Sequence, residues 1–156
     1  MTRTLLYLFL LCCIISCDSK KEIDCSAVLC DVANNSVYIQ FIDSETDENL
    51  LDNETILEET IDVKDMGNTE VPFITADHPD YGKILLFSLS PTPYGNKSFT
   101  ITFEGGSPFT ISFATSYIEG GCCGPFTAID DIEISTYTHE YSERGYLPLE
   151  VTILVD

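Results

Sequence analysis

The segment KSFTITFEGGSPFTISFA, residues 97–114, decides the fold. Apolar and polar residues alternate in its two halves, a period of two that places the apolar side chains on one face of a β-strand. The connection over 104–108 has the length and glycine content of a hairpin loop. The other face is polar but uncharged and is either an interaction surface or the solvated face of a sheet. The apolar positions are Phe99, Ile101, Phe103, Phe109, Ile111 and Phe113.

The same alternation continues outward from this hairpin in both directions, with turn signals between the runs. No long amphipathic helix accompanies them, so the sequence predicts an all-β fold. About seven or eight short strands at fairly even spacing are typical of an antiparallel β-sandwich, Ig-like or transthyretin-like. In the run at 56–63, Glu58 and Glu59 also fit a helical turn. The further strand candidates are 37–41, 56–63, 69–75, 84–89, 129–137 and 149–155.

The first 17 residues, MTRTLLYLFLLCCIISC, have the character of a targeting segment. Arg3 precedes an apolar run over 5–15, which fits a signal peptide and is shorter than the roughly 20 residues that span a bilayer. The run ends in IISC, residues 14–17, which resembles the lipobox of bacterial lipoproteins. The resemblance implies cleavage before Cys17 and a lipid on its sulfur. The alternatives are a cleaved signal peptide without lipid and a short transmembrane anchor.

These patterns predict a signal peptide over 1–16, a lipidated Cys17 with a Cys-containing tether over 17–35, and a β-sandwich domain over 36–156. We expect a cell-envelope location, on the periplasmic face or at the cell surface of the outer membrane. Asp after the lipidated Cys resembles an inner-membrane retention signal of enterobacterial lipoproteins. The run DSKKE also resembles a surface-export signal of Bacteroidota lipoproteins. The sequence therefore does not decide between the inner and the outer membrane. The short tether and all-β body resemble small Bacteroidota lipoproteins, and this resemblance says nothing about an activity.

Four cysteines remain once the signal peptide and Cys17 are set aside. Oxidising compartments favour disulfides, and four cysteines allow three connectivities. Adjacent cysteines rarely bond to each other, so we expect Cys25 and Cys30 to crosslink the N-terminal segment to Cys122 and Cys123. A zinc site with four thiolates is the alternative, although adjacent cysteines are an unusual half-site. Free or redox-active thiols are a third possibility.

The charge balance excludes one class of partner. The chain has 26 acidic and 7 basic side chains, and loss of Arg3 with the signal peptide leaves the mature part at −20. Such a field repels phosphate backbones, so we expect no nucleic-acid partner. It also opposes charge-driven adsorption to anionic lipid. We therefore expect the membrane contact to be made through the N-terminal lipid.

The segment VYIQFIDSETDENL, residues 37–50, resembles the opening strand and turn of carboxypeptidase-regulatory-like and transthyretin-like domains, without their turn glycine. The resemblance covers 14 residues and implies a sandwich that serves as a binding or accessory module. The same segment is a calcium candidate, because Ca²⁺ takes several oxygen ligands. A solvated acidic turn is the alternative, since Glu48 stands where a calcium loop has its turn glycine. The candidate ligands are Asp43, Glu45, Asp47 and Glu54, and other acidic pairs are Asp77 with Asp80 and Asp130 with Asp131.

No catalytic constellation is recognisable in the sequence. His78 and His139 lack the partner groups of a triad, and the glycine pairs lack the spacing of a phosphate loop. We therefore expect a non-catalytic binding or accessory module without a cofactor, whose partner is an envelope protein or a glycan. A carboxylate-based envelope hydrolase and a structural envelope protein are the alternatives. Tyrosines suited either to such a contact or to strand packing are Tyr117, Tyr137, Tyr141 and Tyr146.

Overall fold

The computed structural model describes Cys25 and residues 34–156. Nine strands in these residues form two sheets with one shared core. The order β3-β4-β1-β9-β8 gives a five-stranded sheet, and β2-β5-β6-β7 gives a four-stranded sheet. The described residues contain no helix long and apolar enough to cross a bilayer. The strands are β1 (Ser36–Asp43), β2 (Asp62–Asp65), β3 (Phe73–His78), β4 (Gly82–Ser88), β5 (Gly95–Thr102), β6 (Phe109–Ile118), β7 (Phe126–Ile134), β8 (Thr138–Tyr141) and β9 (Leu149–Val155).

The predicted all-β sandwich is confirmed, with one parallel pair among antiparallel ones. β1 and β9 run side by side in the same direction, from Val37 opposite Leu149 to Asp43 opposite Val155. The chain reverses direction at every connection, so nine strands bring the first and the last into the same orientation. The additional strand is β8 (Thr138–Tyr141), which follows the predicted run at 129–137 and is absent from the strands predicted from the sequence.

The hairpin at 97–114 is present as predicted, and its apolar face fills the core. Phe99 lies opposite Ile111 and Ile101 lies opposite Phe109 in the β5–β6 register. The Phe41 ring of β1 meets Phe109 from the other sheet edge-to-face at 6.1 Å between centroids. Aromatic pairs favour this geometry, and it joins the two sheets at the centre of the sandwich.

Three of the predicted strands differ in extent. In the run at 56–63, Glu58–Thr60 form a 3₁₀ turn and β2 begins only at Asp62, which agrees with the helical alternative. The run at 69–75 starts as a strand at Phe73, because Pro72 has no N–H to donate to a ladder. The run at 129–137 stops at Ile134, and Thr136, with φ of 74°, reverses the chain into β8.

The alternating strand directions give the sandwich two distinct ends. The lower end, where β1 begins, carries the described connections 66–72, 89–94, 119–125 and 142–148. The upper end, where β1 stops, carries 44–61, 79–81, 103–108, 135–137 and residue 156. The outward faces of the sheets lie between these ends.

Candidate functional site

A cleft lies on the outer face of the five-stranded sheet, the face turned away from the core. Along β1 and β9 every second side chain points to this face. The parallel register places Tyr38 beside Glu150 and Gln40 beside Thr152. The cleft has a volume of about 260 Å³ and is lined by Tyr38, Gln40, Tyr81, Ile84, Glu140, Tyr141, Ser142, Glu150, Val151 and Thr152.

The floor of the cleft is apolar. Ile84 on β4 is only 3% exposed, whereas its neighbours Leu85 and Phe87 face the core on the opposite side of the strand. A buried isoleucine on an outer face requires a cover, and the Tyr81 turn between β3 and β4 contributes to it. The cleft thus combines an apolar floor with polar walls, as ligand sites commonly do.

Two side-chain amides fix the Tyr81 turn over the sheet. Gln40 Nε2 donates to the Tyr81 carbonyl at 2.6 Å. Asn49 Nδ2 donates to the same carbonyl at 2.9 Å and to the Lys83 carbonyl at 2.9 Å. Gly82 adopts a positive φ of 68° at the end of this turn, a conformation that glycine adopts without steric cost. The wall formed by Tyr81 is therefore held by hydrogen bonds from two other segments of the chain.

Glu150 is the charged group at the centre of the cleft wall. Its side chain is 16% exposed and lies 3.4 Å from Arg144 Nη1. The Tyr81 hydroxyl donates to Glu150 Oε2 at 3.3 Å. Burial of the ring and, second, the negative charge of Glu150 raise the pKa of Tyr81 above its usual value of about 10. Tyr81 therefore remains a neutral hydrogen-bond donor through the physiological pH range.

Aromatic rings extend from the cleft toward the edge strand β3. His78 stacks on Tyr81 at 4.6 Å between ring centroids, and Tyr38 lies 6.2 Å from His78. His78 Nδ1 accepts the backbone N–H of Asp80 at 3.3 Å, so His78, at the end of β3, supports the turn that follows this strand. The Tyr141 ring at the rim is 39% exposed. It is the ring in this group that offers most of its surface to a ligand.

The calcium candidates do not come together as a ligand set. Asp43 Oδ1 accepts the backbone N–H groups of Glu45 at 2.9 Å and Thr46 at 2.8 Å, and these bonds lower the pKa of the Asp43 carboxyl. Asp47 and Glu54 both adopt positive φ in this exposed loop. Within 34–156 and Cys25, no group of three or more His, Cys, Asp or Glu side chains is arranged to hold a metal ion.

One of the two crosslinks expected between the N-terminal segment and the 119–125 loop is present. Cys25 is bonded to Cys122, with Cα atoms 5.2 Å apart and a sequence separation of 97. Cys123 is also disulfide-bonded. These bonds exclude a Cys122–Cys123 pair and remove the three cysteines as thiolate ligands for zinc. Cys30 and the proposed lipid attachment site Cys17 lie outside the described residues.

The four tyrosines singled out in the sequence do not form one surface. Tyr137 packs at 5.6 Å from Phe109, and its hydroxyl accepts the Ser107 N–H at 2.7 Å, which is a structural role. Tyr146 packs on β7, Tyr117 lies at the lower end, and only Tyr141 lines the cleft. The Nδ1 atom of His139, the second histidine, lies 3.0 Å from the Tyr137 carbonyl oxygen.

Apart from Tyr141, sequence reasoning missed the residues that build the cleft. The signal for Tyr38 and Gln40 was their alternation with buried residues on β1. Tyr81 lies in a turn, and Glu150 lies on β9, near the other end of the chain. Comparisons with family models, curated proteins and solved structures found no match for this chain. The fold and the cleft therefore define it as a β-sandwich with an open polar-aromatic site on one sheet face.

Proposed function

We propose that this chain is a cell-envelope lipoprotein, anchored through Cys17, whose β-sandwich binds a glycan in the outer-face cleft without transforming it. The observation that carries the proposal is the composition of the cleft. Tyrosine presents an apolar ring face and a polar tip, and Tyr141 and Tyr81 are placed with Glu150, Gln40 and Thr152 around an apolar floor. Sugar rings need both kinds of contact, because they carry C–H faces and hydroxyl edges.

The size and openness of the cleft agree with this ligand class. A volume of about 260 Å³ lies just below the roughly 300–1,000 Å³ of sites that enclose drug-sized ligands. One or two sugar rings of a longer chain would fit, and the remainder would extend over the sheet face. An envelope protein that inserts a loop is the competing partner class.

The test is calorimetric titration of the protein with neutral oligosaccharides of envelope glycans. Tyr141→Ala should weaken binding about 5- to 150-fold, because ring stacking and burial contribute about 1–3 kcal/mol. Tyr146→Ala is the matched control, since Tyr146 is also 39% exposed and packs on Phe126 outside the cleft. Equal losses in both variants, or no binding by the unaltered protein, would refute a glycan site.

A carboxylate hydrolase is the second candidate, because Glu140 and Glu150 both line the cleft. Glycosidic hydrolysis needs two carboxylates on either side of the scissile bond. Release of reducing ends from the same oligosaccharides, abolished in Glu140→Gln or Glu150→Gln, would favour hydrolysis over simple binding. Binding without release supports the binding module.

A further inference from the structure

Exposed apolar side chains concentrate at the lower end of the sandwich. Met66 is 73% exposed, Tyr94 42%, Tyr117 56% and Ile118 43%. Tyr94 and Tyr117 contact each other edge-to-face at 6.4 Å, and an apolar groove joins Tyr94 to Met66. We call these four residues the lower patch. Large apolar side chains grouped at one end of a soluble domain indicate a contact surface.

The charges of the described connections show the opposite distribution. The upper-end connections carry ten carboxylate side chains and no Lys or Arg. The lower-end connections carry three carboxylates and Arg144. A negatively charged lipid surface therefore repels the upper end much more strongly than the lower end.

The disulfide fixes which end lies next to the anchor. Cys122 lies in the 119–125 connection of the lower end and is bonded to Cys25. Cys25 lies eight positions after Cys17, so the chain between them reaches at most about 29 Å when fully extended. An eight-residue strand such as β1 is itself about 26 Å long. A lipid on Cys17 is therefore tethered to the lower end and reaches the upper end only with the tether stretched along the whole sandwich.

We infer that the lower patch rests on the lipid surface, with its tyrosines at the headgroup level and the acidic upper end directed away from the membrane. This inference rests on the proposed lipid anchor at Cys17. Tyrosine is enriched at membrane–water interfaces because its ring is apolar and its hydroxyl is polar. The anchor holds the domain at the surface, and the patch selects the orientation in which it stands.

The test uses an introduced tryptophan, because the chain contains none. The full chain, expressed with its signal segment in a bacterial host, is reconstituted in vesicles of phosphatidylcholine and phosphatidylglycerol, with or without bromine on the acyl chains as a quencher. Tyr94→Trp and Tyr117→Trp should lose most of their emission in the brominated vesicles and emit at shorter wavelength. Leu57→Trp is the matched control, since Leu57 is 42% exposed like Tyr94 but lies at the upper end, and its emission should not change.

Flotation of the same samples separates the two hypotheses. If the chain floats with the vesicles but Leu57→Trp is quenched as strongly as the patch variants, the orientation is wrong while the anchor stands. The same conclusion follows if neither patch variant is quenched. If the chain does not float, the anchor is wrong and the orientation falls with it. Circular dichroism of each variant establishes that the sandwich is intact.

Discussion

Removing the Cys25–Cys122 bridge alone should destabilise the domain much less than removing every crosslink of the N-terminal segment. Cys123 is disulfide-bonded as well, and in the lipoprotein proposed above, whose signal peptide is removed and whose Cys17 carries lipid, Cys30 is the remaining cysteine. We therefore predict a second bridge from Cys30 to Cys123. Because Cys122 and Cys123 are adjacent, the two bridges close nearly the same long loop, and either one can hold it closed.

The separation of the bonded cysteines sets the magnitude. A single bridge across 97 residues stabilises the fold by about 4–5 kcal/mol in the chain-entropy model. Once it is present, the second bridge closes only a ring of several residues, which adds about 2 kcal/mol. Each bridge removed alone should thus cost about 2 kcal/mol, whereas removal of both should cost about 7 kcal/mol, well above the sum of the single losses.

The measurement is urea unfolding of a Cys17→Ser chain, followed by circular dichroism. In three variants, serine replaces both Cys25 and Cys122, both Cys30 and Cys123, or all four of these cysteines. Together with the Cys17→Ser chain they complete a double-mutant cycle. Peptide mapping without reduction identifies the predicted Cys30–Cys123 peptide. The reasoning is refuted if the two single-bridge losses add up to the double loss, or if one bridge alone accounts for all of it.

Three further perturbations test the cleft, the acidic turn and the core. Tyr81→Phe should lower the free energy of unfolding by about 1–2 kcal/mol at pH 7, because it removes the hydrogen bond to Glu150. This difference should shrink above about pH 10, as pH rises through the raised Tyr81 pKa of the unaltered chain. Urea unfolding from pH 7 to 11 measures it. The lowered Asp43 pKa stabilises the fold above about pH 4, and this contribution is lost as pH falls through the folded pKa. Asp43→Asn should therefore lower the melting temperature at pH 7, and the difference from the unaltered chain should shrink as pH falls below about 4. Phe41→Ala should cost about 3–5 kcal/mol in urea unfolding, whereas Ile74→Ala, at an exposed edge position, should change stability by less than about 0.5 kcal/mol.

The elements that could be predicted from sequence are those in which burial alternates within one segment. The hairpin at 97–114 could be predicted from its alternating apolar residues alone, because its buried residues lie on one face of both strands. β8 could not be found this way, since Thr138–Tyr141 contains no apolar alternation. It becomes a strand through pairing with β9, with His139 opposite Ile153, which is a tertiary contact.

The site was less predictable than the fold, for a related physical reason. Carboxylate spacing over 43–54 matched a calcium loop in part, but spacing does not tell where a carboxylate points. The backbone N–H groups of Glu45 and Thr46 occupy an oxygen of Asp43 instead. The cleft, in contrast, has no local signature, because the β1–β9 register alone places Tyr38 beside Glu150, 112 residues later in the chain.

The proposed orientation and the proposed site constrain each other. The cleft is lined from the middle of β1 and β9, strands about 25 Å long by the usual rise. With the lower patch on the lipid, the cleft opens sideways, about 10–15 Å above the membrane surface by the same rise. A ligand approaching from above first meets the ten upper-end carboxylates, which repel polyanions. The geometry therefore favours neutral glycans that lie close to the membrane over acidic polymers that arrive from solution.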